Sequence, residues 1–198
     1  MILNLFSTPI YQVNLNLDNK KLSNLAYFIE KNYSGNTESN LGGYQSQIIN
    51  DCNDDEFLKL SNNLQHHVNE YHSVFNFDES IKQKIHRIWF NINRQKDTNM
   101  PHIHLNAIFT GVYYIKTNKN CGDITFRHPS PIFEHTWNEG DWNTVNRIYR
   151  KSYTENNSAV YKFSPKEGEL YLFPAWINHM VEPNLSGDDR ISLSFDTI

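Results

Sequence analysis

The 198-residue sequence has only two cysteines, Cys52 and Cys121, and they form no motif. A disulfide framework is therefore not what organises the chain, and free thiols in a reducing compartment are the simpler expectation. No run approaches the roughly 20 apolar residues that a membrane helix needs. The first twenty residues show neither a basic leader nor a long apolar stretch, so no secretory signal is expected and a cytoplasmic location is. Cations are not in excess either. The 18 Lys and Arg stand against 22 Asp and Glu, a net charge of −4, which argues against a nucleic-acid-binding surface. No internal repeat or linker interrupts the chain. A chain this long buries about 70% of its unfolded surface, so one domain over residues 1–198 is expected.

Aromatic residues, by contrast, are plentiful, at 14% of the chain, and lean it toward β structure. The first third is more helical. Leu22, Leu25, Ala26, Phe28 and Ile29 recur at helical spacing. Phe57, Leu58, Leu60, Leu64 and Val68 mark a second helix behind Asp54 and Asp55, whose charge suits the helix dipole. His66, His67 and His72 fall on its exposed or flanking face. Residues 1–17 alternate and predict one or two strands, residues 34–43 read as a loop, and Gly42–Gly43 reads as a turn. From residue 88 onward the pattern is of strands at 88–94, 107–116, 123–127, 160–163, 169–173 and 190–195, joined by Gly, Pro and Asn turns. That spacing predicts an antiparallel sandwich or barrel. Residues 1–85 would support a β core over 86–198. A long polar insert at about 129–158 carries Trp137, Trp142, Tyr149 and Tyr153, a length typical of lids or disordered segments. The basic cluster Arg147, Arg150 and Lys151 within it reads as a solvated loop.

His102 and His104 form an HxH pair before a strong strand. In an extended chain, residues i and i+2 share a face, roughly 7 Å apart, so two imidazoles can converge on one ion. Imidazole suits iron, copper, zinc and nickel. His179 is the third candidate. The alternative is a pair of exposed or hydrogen-bonded histidines at a strand end. In the last strand, Ile191, Leu193 and Phe195 share one face, and Arg190, Ser192 and Ser194 share the other. A strand face of that kind suits a polar cavity, where an arginine fork would bind a carboxylate or phosphate. The alternative pairs Arg190 with Asp188 or Asp189 on a surface turn. Tyr114 alternates with Val112 toward the same cavity, or is a core or rim tyrosine. Asn91 and Asn93 share a face and either contact a co-substrate or express edge-strand polarity. Trp176 reads as packing; His86, His128 and His135 read as structural or exposed.

Three segments, WFNINRQKDTNMPHIHLNAIFTGVYYIK, CGDITFRHPSP and FSPKEGELYLFPAWINHMVEPNLSGDDRISLSF, together resemble the small, uncharacterised type of 2-oxoglutarate- and iron(II)-dependent oxygenases. The resemblance spans about residues 89–195 and extends weakly to SNLGGYQS at 39–46. It implies a mainly β double-stranded β-helix (a cupin-like jelly roll) with helices packed on one sheet and Fe(II) inside its mouth. His102, His104 and His179 would be the ligands. Position 104 is His where the wider superfamily has Asp or Glu, but the small family reads HxH there. Arg190, eleven residues beyond His179, would bind the 5-carboxylate of 2-oxoglutarate with help from Ser192, Tyr114 and Asn91. The implied activity is that of an oxidoreductase hydroxylating a small-molecule or peptide substrate, with O₂ consumed and succinate and CO₂ released. Neither nucleic acid nor membrane is an expected partner, and the protein is expected as a monomer or homodimer. Two other readings stay open: a three-histidine dioxygenase that uses no 2-oxoglutarate, and a non-catalytic jelly-roll binding module.

Overall fold

Two helices form where the sequence supplies both a cap and an apolar stripe. Asp18 caps helix α1 (Asn19–Asn32), accepting from the Lys21 N–H at 3.1 Å, and Leu22, Ala26 and Ile29 bury one face. Asp54 caps helix α2 (Asp55–Ser73), accepting from the N–H groups of Glu56 and Phe57 at 2.9 and 3.1 Å. These side chains satisfy donors that a first helical turn leaves unpaired. Phe57, Leu60, Leu64, Val68 and Tyr71 line the buried stripe of α2, while His66 is exposed and His67 and His72 are half-buried. The computed structural model describes residues 1, 3, 5–78, 80–130, 152 and 154–198. Most of the expected insert, including His135, both of its tryptophans, Tyr149, Tyr153 and the basic cluster, lies outside the described residues.

The strands are β1 (Tyr11–Asn14), β2 (Asn40–Leu41), β3 (Tyr44–Gln45), β4 (Ile85–Asn93), β5 (Thr98–His102), β6 (Phe109–Lys116), β7 (Ile124–Arg127), β8 (Val160–Phe163), β9 (Glu169–Pro174), β10 (His179–Val181) and β11 (Arg190–Thr197). They form two antiparallel sheets, one ordered β1-β9-β6-β11-β4-β3 and the other β2-β5-β10-β7-β8. This is the double-stranded β-helix, with both helices packed on the outer face of the larger sheet. No described helix is long and apolar enough to cross a membrane.

The larger sheet carries an apolar layer on each face, as period-two alternation requires. On the helix side, Phe90, Ile92, Leu170, Leu172, Ile191, Leu193 and Phe195 pack against Leu22, Leu60 and Leu64. Between the sheets, Val112, Tyr114, Tyr171 and Phe173 meet Ile124, Phe126 and Ile177. Burying one such side chain is worth roughly 1.5–3 kcal/mol, so these two layers fix the register of every strand that lines the site. Gly111 marks a close contact in the helix-side layer: an added Cβ would lie 2.4 Å from the Phe195 ring and 2.7 Å from Leu172.

Four strands depart from the sequence-based expectation. β2 lies inside the predicted loop, and β3, β5 and β10 were not among the predicted strands. β5 contains Pro101, which lacks an N–H for a sheet ladder. The structure accommodates it at an irregularity: His179 pairs with His102 and Val181 with Asn99, with a register shift between them. Such a bulge lets one strand carry an extra residue. The strands β2 and β3 belong to different sheets and are joined by Gly42 and Gly43, both left-handed at φ 76° and 68°. Residues 1–17 supply one described strand rather than two. Trp176, read as packing, is 54% exposed.

Candidate metal centre and co-substrate pocket

His102 closes β5, His104 follows it, and His179 opens β10 opposite His102. The loop carrying His104 is pinned by its own N–H, which donates to the Ala175 carbonyl at 2.9 Å. The ring centroids of His102 and His179 are 4.3 Å apart, those of His102 and His104 5.0 Å, and those of His104 and His179 5.2 Å. One ligand nitrogen from each of the three lies within 4.8 Å of the others.

The tautomers follow from the neighbours. His102 Nδ1 is 2.6 Å from the Met100 carbonyl, and His179 Nδ1 is 3.0 Å from the Ile177 carbonyl. A carbonyl only accepts, so both Nδ1 atoms carry hydrogen. His104 Nδ1 is 2.6 Å from Asp196 Oδ1, a carboxylate oxygen that likewise accepts. The Nε2 atoms of His102 and His179 are left free to ligate, and His104 turns its Nε2 toward that of His102. Burial, reinforced by the neighbouring imidazoles, holds His179 well below the ordinary imidazole range. Burial also lowers His102, against the opposing pull of its Met100 bond. Both rings are thus neutral at neutral pH. His102 and His104 face each other Nε2 to Nε2 at 3.2 Å, a spacing at which two imidazole nitrogens share one proton or one metal ion. A neutral three-nitrogen donor set of this kind fits a divalent transition metal, iron(II) included.

Two residues of the polar face of β11, Ser192 and Ser194, line the pocket of the histidines, whereas Arg190 and Tyr114 are buried outside its lining. Arg190 is 1% exposed, although the exposed Asp188 and half-buried Asp189 precede it directly in the chain. Its Nη1 donates to the Cys121 carbonyl and, at 3.0 Å, to the Glu182 carbonyl. The surface ion pair considered from sequence does not form. Asp188 instead accepts from Lys116 Nζ at 2.7 Å, and Asp189 accepts from the Tyr27 hydroxyl at 2.9 Å. Burial lowers the Arg190 pKa, but a guanidinium stays charged. Among the described residues its Nη2 has no partner, and neither has the hydroxyl of the fully buried Tyr114. Burial pushes the Tyr114 phenol well up, so it remains a donor. Tyr114 is the register partner of Ser192 on the adjacent strand. An unpaired guanidinium arm and an unpaired phenol in one buried region fit a carboxylate. Gly122, at φ 92°, makes room for the arginine: an added Cβ would stand 2.7 Å from Arg190 Nη1 and 2.2 Å from the Glu182 carbonyl oxygen.

Ser192, Ser194 and Asn91 line the same pocket as the three histidines. Asn91 donates to Ser194 Oγ at 3.1 Å, and its Oδ1 has no partner among the described residues. Asn93 pairs across from Arg190 and is buried. His86 lies with Nδ1 3.2 Å from the Asp196 carbonyl oxygen, a structural position.

Sequence reasoning missed Asp196, Arg87 and Thr110. Burial by itself raises the Asp196 carboxyl, but the bonds from His104 and Arg87 outweigh it and hold it below the ordinary range. The signal was available: Arg190, Ser192, Ser194 and Asp196 are one alternating series.

Two facing antiparallel sheets with three histidines at their mouth are the architecture of the 2-oxoglutarate-dependent oxygenases. Residues 87–196, more than half of the chain, match the family described as "Putative 2OG-Fe(II) oxygenase", and the chain belongs to that family. It is an oxidoreductase that uses Fe(II), 2-oxoglutarate and O₂. No curated protein matches the sequence. Solved structures share the fold at low identity. A Pseudomonas putida prolyl-4-hydroxylase superposes with TM-score 0.61 at 13% identity, over 98% of this chain and 94% of that one. The viral collagen prolyl hydroxylase of Paramecium Bursaria Chlorella virus-1, in its 2-oxoglutarate complex, gives 0.58 at 12%, over 95% and 94%. The epimerase SnoN from nogalamycin biosynthesis, with Fe³⁺ and α-ketoglutarate, gives 0.66 at 13%, over 96% and 79%.

Proposed function

We propose that the protein hydroxylates a small-molecule or peptide substrate at a metal held by His102, His104 and His179. The convergence of three imidazoles, each fixed by an acceptor on its own Nδ1, carries this reading. The bound iron, with 2-oxoglutarate and O₂, supplies the oxidising power: one oxygen atom enters a substrate C–H bond and the other leaves in succinate as CO₂ is lost. The chain's own share is placement. The three imidazoles would hold the metal through nitrogen, and the co-substrates would take the positions they leave. Arg190 Nη2 and the Tyr114 hydroxyl donate to the distal carboxylate of 2-oxoglutarate, and Ser192 and Asn91 line its path. Ile124, Phe173 and Val181 supply the apolar part of the pocket wall.

The test is an anaerobic titration of metal-free protein with iron(II) and then 2-oxoglutarate, followed by visible absorbance. A charge-transfer band that needs both additions, vanishes in His179→Ala and weakens in Arg190→Ala is expected. A band unchanged in His179→Ala would refute the ligand set.

A further inference from the structure

Asp196 is 0% exposed, and both of its oxygens are engaged. Oδ1 accepts from His104 Nδ1 at 2.6 Å, and Oδ2 accepts from Arg87 Nε at 3.1 Å and from Arg87 Nη2. The position is set by β11: Asp196 pairs with Arg87 on one side and Thr110 on the other. Thr110 Oγ1 lies 3.3 Å from the same His104 nitrogen and donates to the Phe195 carbonyl at 3.0 Å. The Trp89 ring stacks on His104 at 5.9 Å between centroids, and the Arg87 guanidinium lies over the Trp89 ring at 5.8 Å. Of the three histidines only His104 leans on a carboxylate; the other two lean on neutral backbone carbonyls.

His104 occupies the place where a carboxylate ligand would put a negative charge directly on the metal. We infer that Asp196 is a positioning residue that returns this charge through one imidazole, in a carboxylate–His104–metal relay that runs through Oδ1 alone. The inference rests on the ligand set proposed above. A carboxylate on the remote nitrogen of a ligating histidine fixes the ring and raises its basicity, and losing it typically costs 10–100-fold in metal affinity. The competing role is a plain ion pair that joins β11 to β4.

The experiment is cobalt(II) titration by calorimetry and by visible d–d absorption, with thermal unfolding of each metal-free variant as the folding control. Asp196→Asn keeps the shape and removes the charge, and is expected to weaken cobalt binding at least 10-fold. With a carboxylate placed on the metal by His104→Asp, the relay has no role, so adding Asp196→Asn is expected to change affinity less than 3-fold. Arg87→Gln breaks the same ion pair but leaves Asp196 on His104, and is expected to bind within 3-fold of wild type. Equal losses from Asp196→Asn in both backgrounds, or a 10-fold loss in Arg87→Gln, would overturn the relay. Should Asp196→Asn fail to fold, Asp196→Ser replaces it in both backgrounds, with the same 10-fold and 3-fold expectations. His179→Ala tests the underlying site separately: wild-type cobalt binding there removes the ligand set itself.

Discussion

Replacing Arg190 with Met separates the arginine's function from its structural cost. In the metal-free chain Arg190 is a buried cation that meets two carbonyls and no acid. Exchanging a buried charge for an apolar side chain of similar length removes a desolvation penalty of several kcal/mol. It also leaves the Cys121 and Glu182 carbonyls short of a donor, at about 1–3 kcal/mol each. The two effects nearly cancel, so Arg190→Met should unfold within a few degrees of wild type. Co-substrate binding should behave differently. A ligand at 100 times its Kd stabilises the folded state by about 2.7 kcal/mol. For a chain of this size that is roughly 5–11 °C in Tm. Removing one partner of a buried charge pair costs about 3–5 kcal/mol, or roughly 200- to 4,000-fold in Kd. At the same 2-oxoglutarate concentration the variant should then gain less than about 1 °C. The assay is thermal unfolding of cobalt-loaded protein with and without 2-oxoglutarate. A shift of 5 °C or more in Arg190→Met would show that the arginine does not hold the co-substrate.

Three further outcomes are expected. Tyr114→Phe deletes a buried hydroxyl without a partner, so the metal-free protein should be as stable as wild type or slightly more so. A hydrogen bond to a charged group is worth about 1.5–3 kcal/mol, so 2-oxoglutarate should bind roughly 10- to 150-fold more weakly; unchanged affinity would place the phenol outside the site. Gly122→Ala puts a methyl against Arg190 and the Glu182 carbonyl at a left-handed φ, and should cost about 1–3 kcal/mol of stability together with 2-oxoglutarate affinity; a neutral result in calorimetry would show that the loop relaxes freely. His179 is held well below the ordinary imidazole range in the folded chain, while the unfolded chain takes up its proton near pH 6.5. Below that pH the unfolded state binds more protons, so stability of the metal-free protein should be flat above about pH 6.5 and fall beneath it. His179→Gln should make that fall shallower; a Tm that rises toward pH 5 would contradict the burial of a neutral ring.

Much of this protein was legible along the chain because its information is local. Asp54 and Asp55 mark the start of α2, and the stripes of α1 and α2 repeat at helical spacing. The alternation of β11 separates Ile191, Leu193 and Phe195 from Arg190, Ser192 and Ser194 before any fold is known. HxH spacing alone pairs His102 with His104. What the chain could not settle is which non-local partners meet. Pro101 hides β5, because a bulge that accommodates it exists only once β10 lies alongside. Arg190 stands beside two acids in sequence, yet it turns inward to the Cys121 and Glu182 carbonyls because its strand faces the space between the sheets. His104 and Asp196 are 92 residues apart, so only sheet pairing could join them. Period and capping chemistry determine elements one at a time; the meeting of two sheets determines which nitrogen carries a proton, which charge is buried, and where a metal would sit.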